Sequence, residues 1–263
     1  MSEKQAFEIA AVGDLHYGSG HPIPVLAQLA AGSDVLLLCG DLTDHGLPEE
    51  AQALARDLAT VSVPVIAVLG NHDYESDRQD DVRQILSDAR VTVLDGESCE
   101  IAGVGFAGAK GFAGGFGRGT LQSWGEHAVK LFVQEAIDET LKLEKALARL
   151  RTPHIIAVLH YAPIQATVEG EPVEIFPFLG SSRLEEPLNR YSVAAAFHGH
   201  AHRGTYEGRT QAGRPVYNVS LPLMRLQFPD GPPVCRISLP RVNEDKPAAN
   251  VEPSSSGSLV AHA

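Results

Sequence analysis

The stretch "VPVIAVLGNHD" (residues 63–73) runs from an apolar segment straight into Gly, Asn, His and Asp. A turn needs at most the Gly and the Asn, so His72 and Asp73 serve another purpose. Four further apolar segments also end in polar residues: "FEIAAV" (7–12) before "GDLH", "DVLLLC" (34–39) before "GDLTD", "HIIAVL" (154–159) before "HYAP", and "SVAAAF" (192–197) before "HGHAH". The pattern predicts five buried strands, each of which ends in polar side chains.

These apolar segments are unbroken rather than alternating, which is typical of strands covered on both faces. Helical patterns separate them, over residues 48–60, 126–151 and, with Pro187 inside it, 181–191. A hairpin is predicted over residues 205–220, with its turn at Ala212 and Gly213. The alternation of strands and helices predicts a layered α/β domain.

Two segments have a different composition. The glycine-rich stretch "GVGFAGAKGFAGGFGRG" (103–119) fits neither a Walker loop nor a dinucleotide-binding fingerprint, and we interpret it as a mobile surface loop. After Pro240 the chain is polar and rich in Pro and Ser. This composition predicts a disordered tail over residues 241–263, behind a domain formed by residues 1–240.

The composition is that of an ordinary globular chain of 263 residues, with 44% hydrophobic and 21% charged residues. The formal net charge of −12 disfavours non-specific nucleic-acid binding, because an acidic surface repels phosphate backbones. Cys39, Cys99 and Cys235 are far apart and indicate free thiols in a reducing compartment. No apolar stretch approaches the roughly 18 residues of a membrane helix, and the first residues make a poor signal peptide. We expect a soluble cytoplasmic protein without membrane contacts.

In parallel α/β sheets, ligands bind beyond the carboxyl ends of the strands. The five segments are therefore expected to bring eight side chains to one rim: Asp14, His16, Asp41, Asn71, His72, His160, His200 and His202. A mixture of oxygen and imidazole donors suits a first-row divalent metal better than calcium or an all-thiolate zinc site.

The number of donors favours two ions. The Asp and His of "GDLH" and a His of the last block could hold one ion. Asn71, His160 and His200 could hold the other, and a shared Asp41 would bring the ions to about 3.5–4 Å, so that a hydroxide can bridge them. A neutral Asn at position 71 leaves the pair with surplus positive charge, which would attract an anionic phosphate ester.

His72 has a separate predicted role. Adjacent residues in a tight loop rarely reach the same ion, so His72 can face the substrate and protonate the leaving oxygen as a general acid. Asp73 could orient its imidazole, as a carboxylate partner commonly does.

The blocks "GDLH", "GDLTD", "GNHD", "LHYAP" and "GHAH", in this order, resemble those of the calcineurin-like metallophosphoesterases, over about residues 7–240. The resemblance implies a four-layer sandwich of two mixed β-sheets flanked by helices, with two divalent ions of manganese, iron or zinc at the sheet edges. It also implies that the first ion is held by Asp14, His16, Asp41 and His202. The second is then held by Asp41, Asn71, His160 and His200, and His72 is the catalytic proton donor.

Several residues and loops near these blocks also receive predictions. His198 alternates with two predicted ligands, but because the ligand set is already full we expect it to support or pack against them. Asp44 and His45 are expected to hold their loop rather than touch the substrate. The loops 103–119 and 164–180 are predicted to form the walls of the substrate site, because connecting loops commonly carry specificity.

The predicted reaction is hydrolysis of a phosphoester by the bridging hydroxide. Protein phosphatases of the resembling family usually place an Arg directly after the catalytic block, whereas "GNHD" is followed here by "YES" and the nearest Arg is Arg78. This favours a diester of a small organic phosphate or nucleotide as the substrate. Phosphomonoesters are the alternative. A third hypothesis, a non-catalytic protein-interaction scaffold, is disfavoured by the intact ligand set and His72.

Overall fold

The computed structural model describes residues 6–241. The strands of this part of the chain are β1 (Ala6–Val12), β2 (Val35–Cys39), β3 (Val65–Val68), β4 (Val91–Val93), β5 (Glu97–Ile101), β6 (Val104–Gly108), β7 (His154–Val158), β8 (Ala195–His198), β9 (Glu207–Arg209), β10 (Pro215–Asn218) and β11 (Cys235–Pro240). Its α-helices are α1 (Leu26–Leu29), α2 (Pro48–Leu58), α3 (Gln79–Asp88), α4 (His127–Arg149), α5 (Phe176–Leu179), α6 (Glu185–Arg190) and α7 (Leu221–Gln227).

The strands form two mixed sheets. The first has the order β11-β1-β2-β3-β4, with β1 to β4 parallel and β11 antiparallel to β1. The second has the order β5-β6-β7-β8-β10-β9, in which only the edge strands β5 and β9 pair in the antiparallel sense. In both sheets the inner strands are parallel, so their carboxyl ends point towards the same edge.

Three apolar layers hold the molecule together. The central layer lies between the two sheets, where the rings of Phe7 and Phe106 have centroids 6.4 Å apart. The outer face of the first sheet packs against α1, α2 and α3 through residues such as Leu29, Leu54 and Leu86. The outer face of the second sheet packs against α4 and α6. The predicted four-layer sandwich is confirmed.

The five strands predicted from unbroken apolar segments are all present, as β1, β2, β3, β7 and β8. The helices predicted over 48–60 and 126–151 are α2 and α4. The predicted hairpin is β9 and β10. Over 181–191 the chain makes a 3₁₀ turn and then α6, and Pro187 lies in the first turn of α6, where its missing N–H costs no hydrogen bond.

The prediction of a mobile surface loop at 103–119 was wrong. Residues 104–108 form the buried strand β6, and most of residues 109–116 are also buried. The physical reason is close packing between the sheets: a Cβ on Gly108 would lie 2.6 Å from the Cβ of Leu94 and 2.9 Å from a methyl group of Val68. The glycines here allow close packing, not flexibility.

Within residues 6–241, no helix is both long enough and apolar enough to cross a membrane. The predicted disordered tail, apart from Arg241, lies outside the described residues.

Candidate metal centre

The polar blocks that follow β1, β2, β3, β7 and β8 meet at one edge of the sandwich. Three groups of side chains each place their donor atoms within 4.8 Å of one another: Asp14, His16 and His202; Asp41, His160 and His200; and His16, Asp41 and His72. The first sheet supplies the residues up to His72 and the second sheet supplies the others. The centre therefore spans both sheets.

Four of the predicted ligands have a left-handed backbone. The φ angles are 56° at Asp14, 47° at His16, 47° at Asp41 and 69° at His200. For residues other than Gly this region costs about 1–3 kcal/mol each and is found mostly where the surrounding structure enforces it. Backbone hydrogen bonds between the loops enforce it here, including Asp14 N to Gly40 O (2.9 Å) and His16 N to Asp41 O (3.0 Å).

Glycines before the ligands let the loops approach each other. Gly40 has a φ of 79°, and a Cβ there would lie 2.4 Å from Nδ1 of His160. A Cβ on Gly199 would lie 2.2 Å from Oδ2 of Asp14. Each of these glycines thus makes room for a predicted ligand that comes from the other sheet.

The first group contains a nitrogen without a partner. His202 Nε2 and Asp14 Oδ1 are 2.9 Å apart. His16 donates a hydrogen bond from Nδ1 to Oδ1 of Asp44 (3.1 Å), which leaves the lone pair on Nε2. That Nε2 is buried, has no hydrogen-bond partner, and lies 3.9 Å from Oδ2 of Asp41.

The second group brings acceptor atoms together. His160 donates from Nδ1 to the Cys39 carbonyl (3.1 Å), so its Nε2 also carries a lone pair. This Nε2 lies 2.9 Å from Oδ1 of Asn71 and 3.4 Å from Oδ1 of Asp41. His200 donates from Nε2 to the Phe178 carbonyl at 3.2 Å, so its Nδ1 carries the lone pair that could bind an ion.

These residues fit divalent metal ions. Lone pairs that face one another across about 3–4 Å repel, and a buried nitrogen without a partner costs free energy. A cation between them would remove both penalties, and imidazole with carboxylate and amide oxygens is a donor set that first-row metals accept. A carboxylate or carbonyl behind each imidazole is the usual arrangement around metal-binding His.

Charge is crowded at the same place. Burial raises the pKa of Asp41 well above its usual value, and the Asp14 and Asp73 carboxylates raise it further. Burial also acts to raise the pKa of Asp14, but the hydrogen bond with His202 and the nearby imidazoles lower it to about 2. Burial lowers the pKa of His160 well below its usual value, which keeps this imidazole neutral as a ligand must be.

His72 stands at the border of this cluster. Its ring packs edge-on against the His16 ring, with centroids 4.6 Å apart. Its Nδ1 donates to the Asp44 carbonyl at 2.7 Å, so Nε2 is the nitrogen left to exchange a proton or to bind an ion. The side chain is partly buried, which leaves it open to a bound molecule.

Asp73 does not orient His72 as the sequence suggested. Its buried carboxylate accepts hydrogen bonds from the Gly70 and Leu42 amides and from the amide and hydroxyl of Thr43. These bonds tie the loop after β3 to the loop after β2. The Asp44 carbonyl takes the predicted place beside the imidazole, because the two loops run side by side at this point.

Asp44 is the residue that sequence reasoning undervalued. Its carboxylate accepts from His16 and its backbone carbonyl accepts from His72, so it orients two imidazoles at once. The sequence signal for this role is the position of Asp44 three residues after Asp41, in the block "GDLTD". His198, by contrast, has both nitrogens bonded away from the centre, to the Gly199 carbonyl and the Thr167 hydroxyl, which fits the predicted supporting role.

Comparison with known proteins agrees with this geometry. A model of the family "Calcineurin-like phosphoesterase" matches residues 7–204. The chain belongs to this family. The matched residues are accordingly a domain of the metallophosphoesterase class.

The similarity to individual proteins is low. The chain is 21% identical over 203 residues to the "Probable glycerophosphodiester phosphodiesterase GpdQ" of Arcobacter nitrofigilis, and the match covers 72% of this chain and 64% of that protein. The crystal structure of the phosphopantetheinyl hydrolase PptH from Mycobacterium tuberculosis has a TM-score of 0.67 and 14% identity, with 89% of this chain and 96% of that chain covered. TT1561 of Thermus thermophilus has a TM-score of 0.50 and 14% identity, over 81% of this chain and 88% of that one. At such identities the structural likeness concerns the fold.

Proposed function

We propose that the protein is a dinuclear phosphodiesterase that acts on a small organic phosphate or nucleotide. Asp14, His16, Asp41 and His202 would hold the first ion, and Asp41, Asn71, His160 and His200 the second. The observation that carries this proposal is the convergence of acceptor atoms from both sheets, with His16 Nε2 buried and without a partner. When bound, the ions supply an activated water and positive charge for the phosphoryl group; manganese, iron and zinc suit the donors.

The side chains of the protein perform the remaining steps. Asp44 holds His16 and His72 in fixed orientations through hydrogen bonds of 3.1 Å and 2.7 Å to their Nδ1 atoms. His72 then presents Nε2 to the leaving oxygen and gives it a proton, which is worth about 10²–10⁴-fold in rate when the leaving group is a poor one. The Asn71 amide would hold the second ion without adding negative charge, so the site would keep its attraction for the anionic substrate.

The preference for diesters rests on the residues after "GNHD", where "YES" stands instead of an Arg. A dianionic monoester would benefit from an Arg there, but Arg78 forms an ion pair of 2.8 Å with Asp81 at the start of α3. The name of the Arcobacter relative supports the same preference.

A pair of chromogenic esters tests the proposal. The purified chain is loaded with Mn²⁺, and kcat/KM is measured for bis(4-nitrophenyl) phosphate and for 4-nitrophenyl phosphate. We expect the diester to react with the higher kcat/KM and Asp41→Asn to abolish both activities. Asp138→Asn, an exposed carboxylate on α4, serves as the control. Faster hydrolysis of the monoester would contradict the diester preference. If the loaded protein hydrolyses neither ester, the proposed enzymatic activity is wrong.

The cellular setting and the domain bounds are also proposed. Cys39, Cys99 and Cys235 are free thiols, which is usual in a reducing cytoplasm. We propose that the protein acts there and that residues 1–240 form the metallophosphoesterase domain.

A further inference from the structure

An exposed apolar segment lies beside the candidate metal centre. Residues 172–178, "PVEIFPF", which we call the strap, contain a 3₁₀ turn at Val173–Ile175 and most of α5. The side chains of Val173, Ile175 and Phe178 are 67%, 38% and 58% exposed. Grouped apolar side chains at a protein surface usually mark a binding site, because exposing each of them to water costs free energy.

The strap touches one of the predicted ligands directly. The Phe178 carbonyl is bonded to Nε2 of the His200 imidazole at 3.2 Å. The ring of Tyr161, which follows His160 in sequence, packs on the same imidazole with centroids 4.6 Å apart. The backbone of the strap therefore lies next to a predicted ligand of the second proposed ion.

The strap is also fixed in place. Just before it, the Glu171 carboxylate accepts from the Arg203 amide at 2.7 Å, in the loop that carries His200 and His202. Just after it, the Ala162 amide donates to the Leu179 carbonyl at 3.0 Å, and within it the Pro177 carbonyl accepts from the Gly114 amide at 2.7 Å. A segment held at three points presents its side chains without a further ordering cost when a ligand binds.

We propose that the strap binds an apolar alkyl or aryl group esterified to the substrate phosphate. This inference rests on the proposed function and narrows it: the substrate is a phosphodiester whose retained ester group is apolar rather than a small polar alcohol. The leaving group must lie near His72, which follows a strand of the first sheet. The strap follows β7 and His200 follows β8, both strands of the second sheet. The strap therefore faces the ester group that remains on the product.

Two substrates with one leaving group test this assignment. Methyl 4-nitrophenyl phosphate and phenyl 4-nitrophenyl phosphate both release nitrophenolate and differ only in the retained group. The Mn²⁺-loaded full chain should prefer the phenyl ester in kcat/KM. Val173→Ser and Phe178→Ser should each reduce the phenyl-to-methyl ratio about tenfold, the usual effect of a few lost apolar contacts.

The control is Leu141→Ser, since Leu141 is 43% exposed on the outer helix α4 and lies far along the chain from the strap. It should keep the wild-type ratio. Elemental analysis should show the same metal content in all variants, and phenyl phosphate should inhibit the wild type more strongly than methyl phosphate.

The two proposals fail in different ways. If the loaded protein hydrolyses neither ester, the phosphodiesterase function is wrong, and this inference falls with it. If both esters are hydrolysed but the ratio is the same in wild type and strap variants, the strap is not a substrate subsite. An unchanged ratio together with loss of a dimer in light scattering would assign the strap to a contact between protein chains and overturn the inference.

Discussion

Two imidazole side chains at the centre each use one ring nitrogen for a hydrogen bond within the protein and turn the other towards the proposed ions. The Nδ1 atoms of His16 and His160 are each bonded to an oxygen of the protein, and their Nε2 atoms face the centre. A fixed tautomer is a precondition for binding a metal, because only the neutral nitrogen with a lone pair can coordinate. The orientation of each imidazole is therefore set before any ion arrives.

Replacing His72 by Ala should separate proton donation from metal binding. We expect both ions to remain bound and hydrolysis of a substrate with an alkoxide leaving group to slow by about 10²–10⁴-fold. A nitrophenolate leaving group needs little protonation and should be affected less. Asn71→Ala is the matched variant in the same loop: it should weaken the second ion, slow both substrates, and recover partly with added metal.

Equal losses for good and poor leaving groups in the His72 variant would show that His72 positions the substrate instead. Loss of an ion would make it a ligand, which the group formed by His16, Asp41 and His72 also allows.

Asp44→Ala should weaken the first ion. The substitution removes the carboxylate that holds His16, and residues that orient metal-binding His typically contribute about 10–100-fold in affinity. Asp44→Asn keeps an oxygen at the same place and should lose less. Metal titration monitored by calorimetry measures the effect, with Asp138→Ala as a control that removes a carboxylate from α4. Wild-type affinity in Asp44→Ala would mean that packing alone orients His16.

Among the strands and loops, the glycine-rich stretch offers a matched pair of substitutions. Gly108→Ala in β6 should destabilise the fold by about 1–3 kcal/mol, because the added Cβ meets Leu94 and Val68 between the sheets. Gly119→Ala, at the exposed end of the same stretch, has nothing within 4 Å of its added Cβ and should be neutral or slightly stabilising. Urea denaturation of both variants measures the difference. Equal stability would mean that the sheets can move apart to accommodate a methyl group.

This stretch also shows where the sequence was insufficient. The strands that end in ligand blocks were predictable, because each is a continuous apolar run next to a polar block. The short strands β4 and β5 carry no such pattern, and β6 is interrupted by Gly105 and Gly108. Nothing in the apolar runs indicates that they divide between two sheets, because strands of both sheets are covered on both faces and their partners come from distant contacts such as Phe7 with Phe106.

The convergence of the candidate ligands was predictable to a similar degree. Ligand candidates could be found because they directly follow strands in a recognisable order. The exchange of roles between Asp73 and Asp44 could not, because it depends on the path of two loops past each other. An Asp next to a His in sequence need not be its partner when both lie in a tight 3₁₀ turn such as His72–Tyr74.

For the molecule as a whole, the proposed ions join the two sheets. The protein should bind two divalent ions per chain by elemental analysis, and chelation should abolish activity. Chelation should also lower Tm, because ions that bind only the folded state stabilise it, and this stabilisation grows with the logarithm of the ion concentration. Adding back Mn²⁺ should restore both properties. An active sample with at most one ion per chain, even in excess metal, would refute the dinuclear model.

The contact between Asp14 and His202 joins residues 188 positions apart in the chain, and His160 reaches Asn71 across 89 positions. Contacts this distant form only after long stretches of chain have been ordered, and in chains of this size they commonly form after much of the secondary structure. The order of events during refolding follows from this placement. In Mn²⁺-containing buffer, far-ultraviolet circular dichroism should recover first and phosphoesterase activity afterwards, so that the return of catalysis reports the moment at which the two sheets dock.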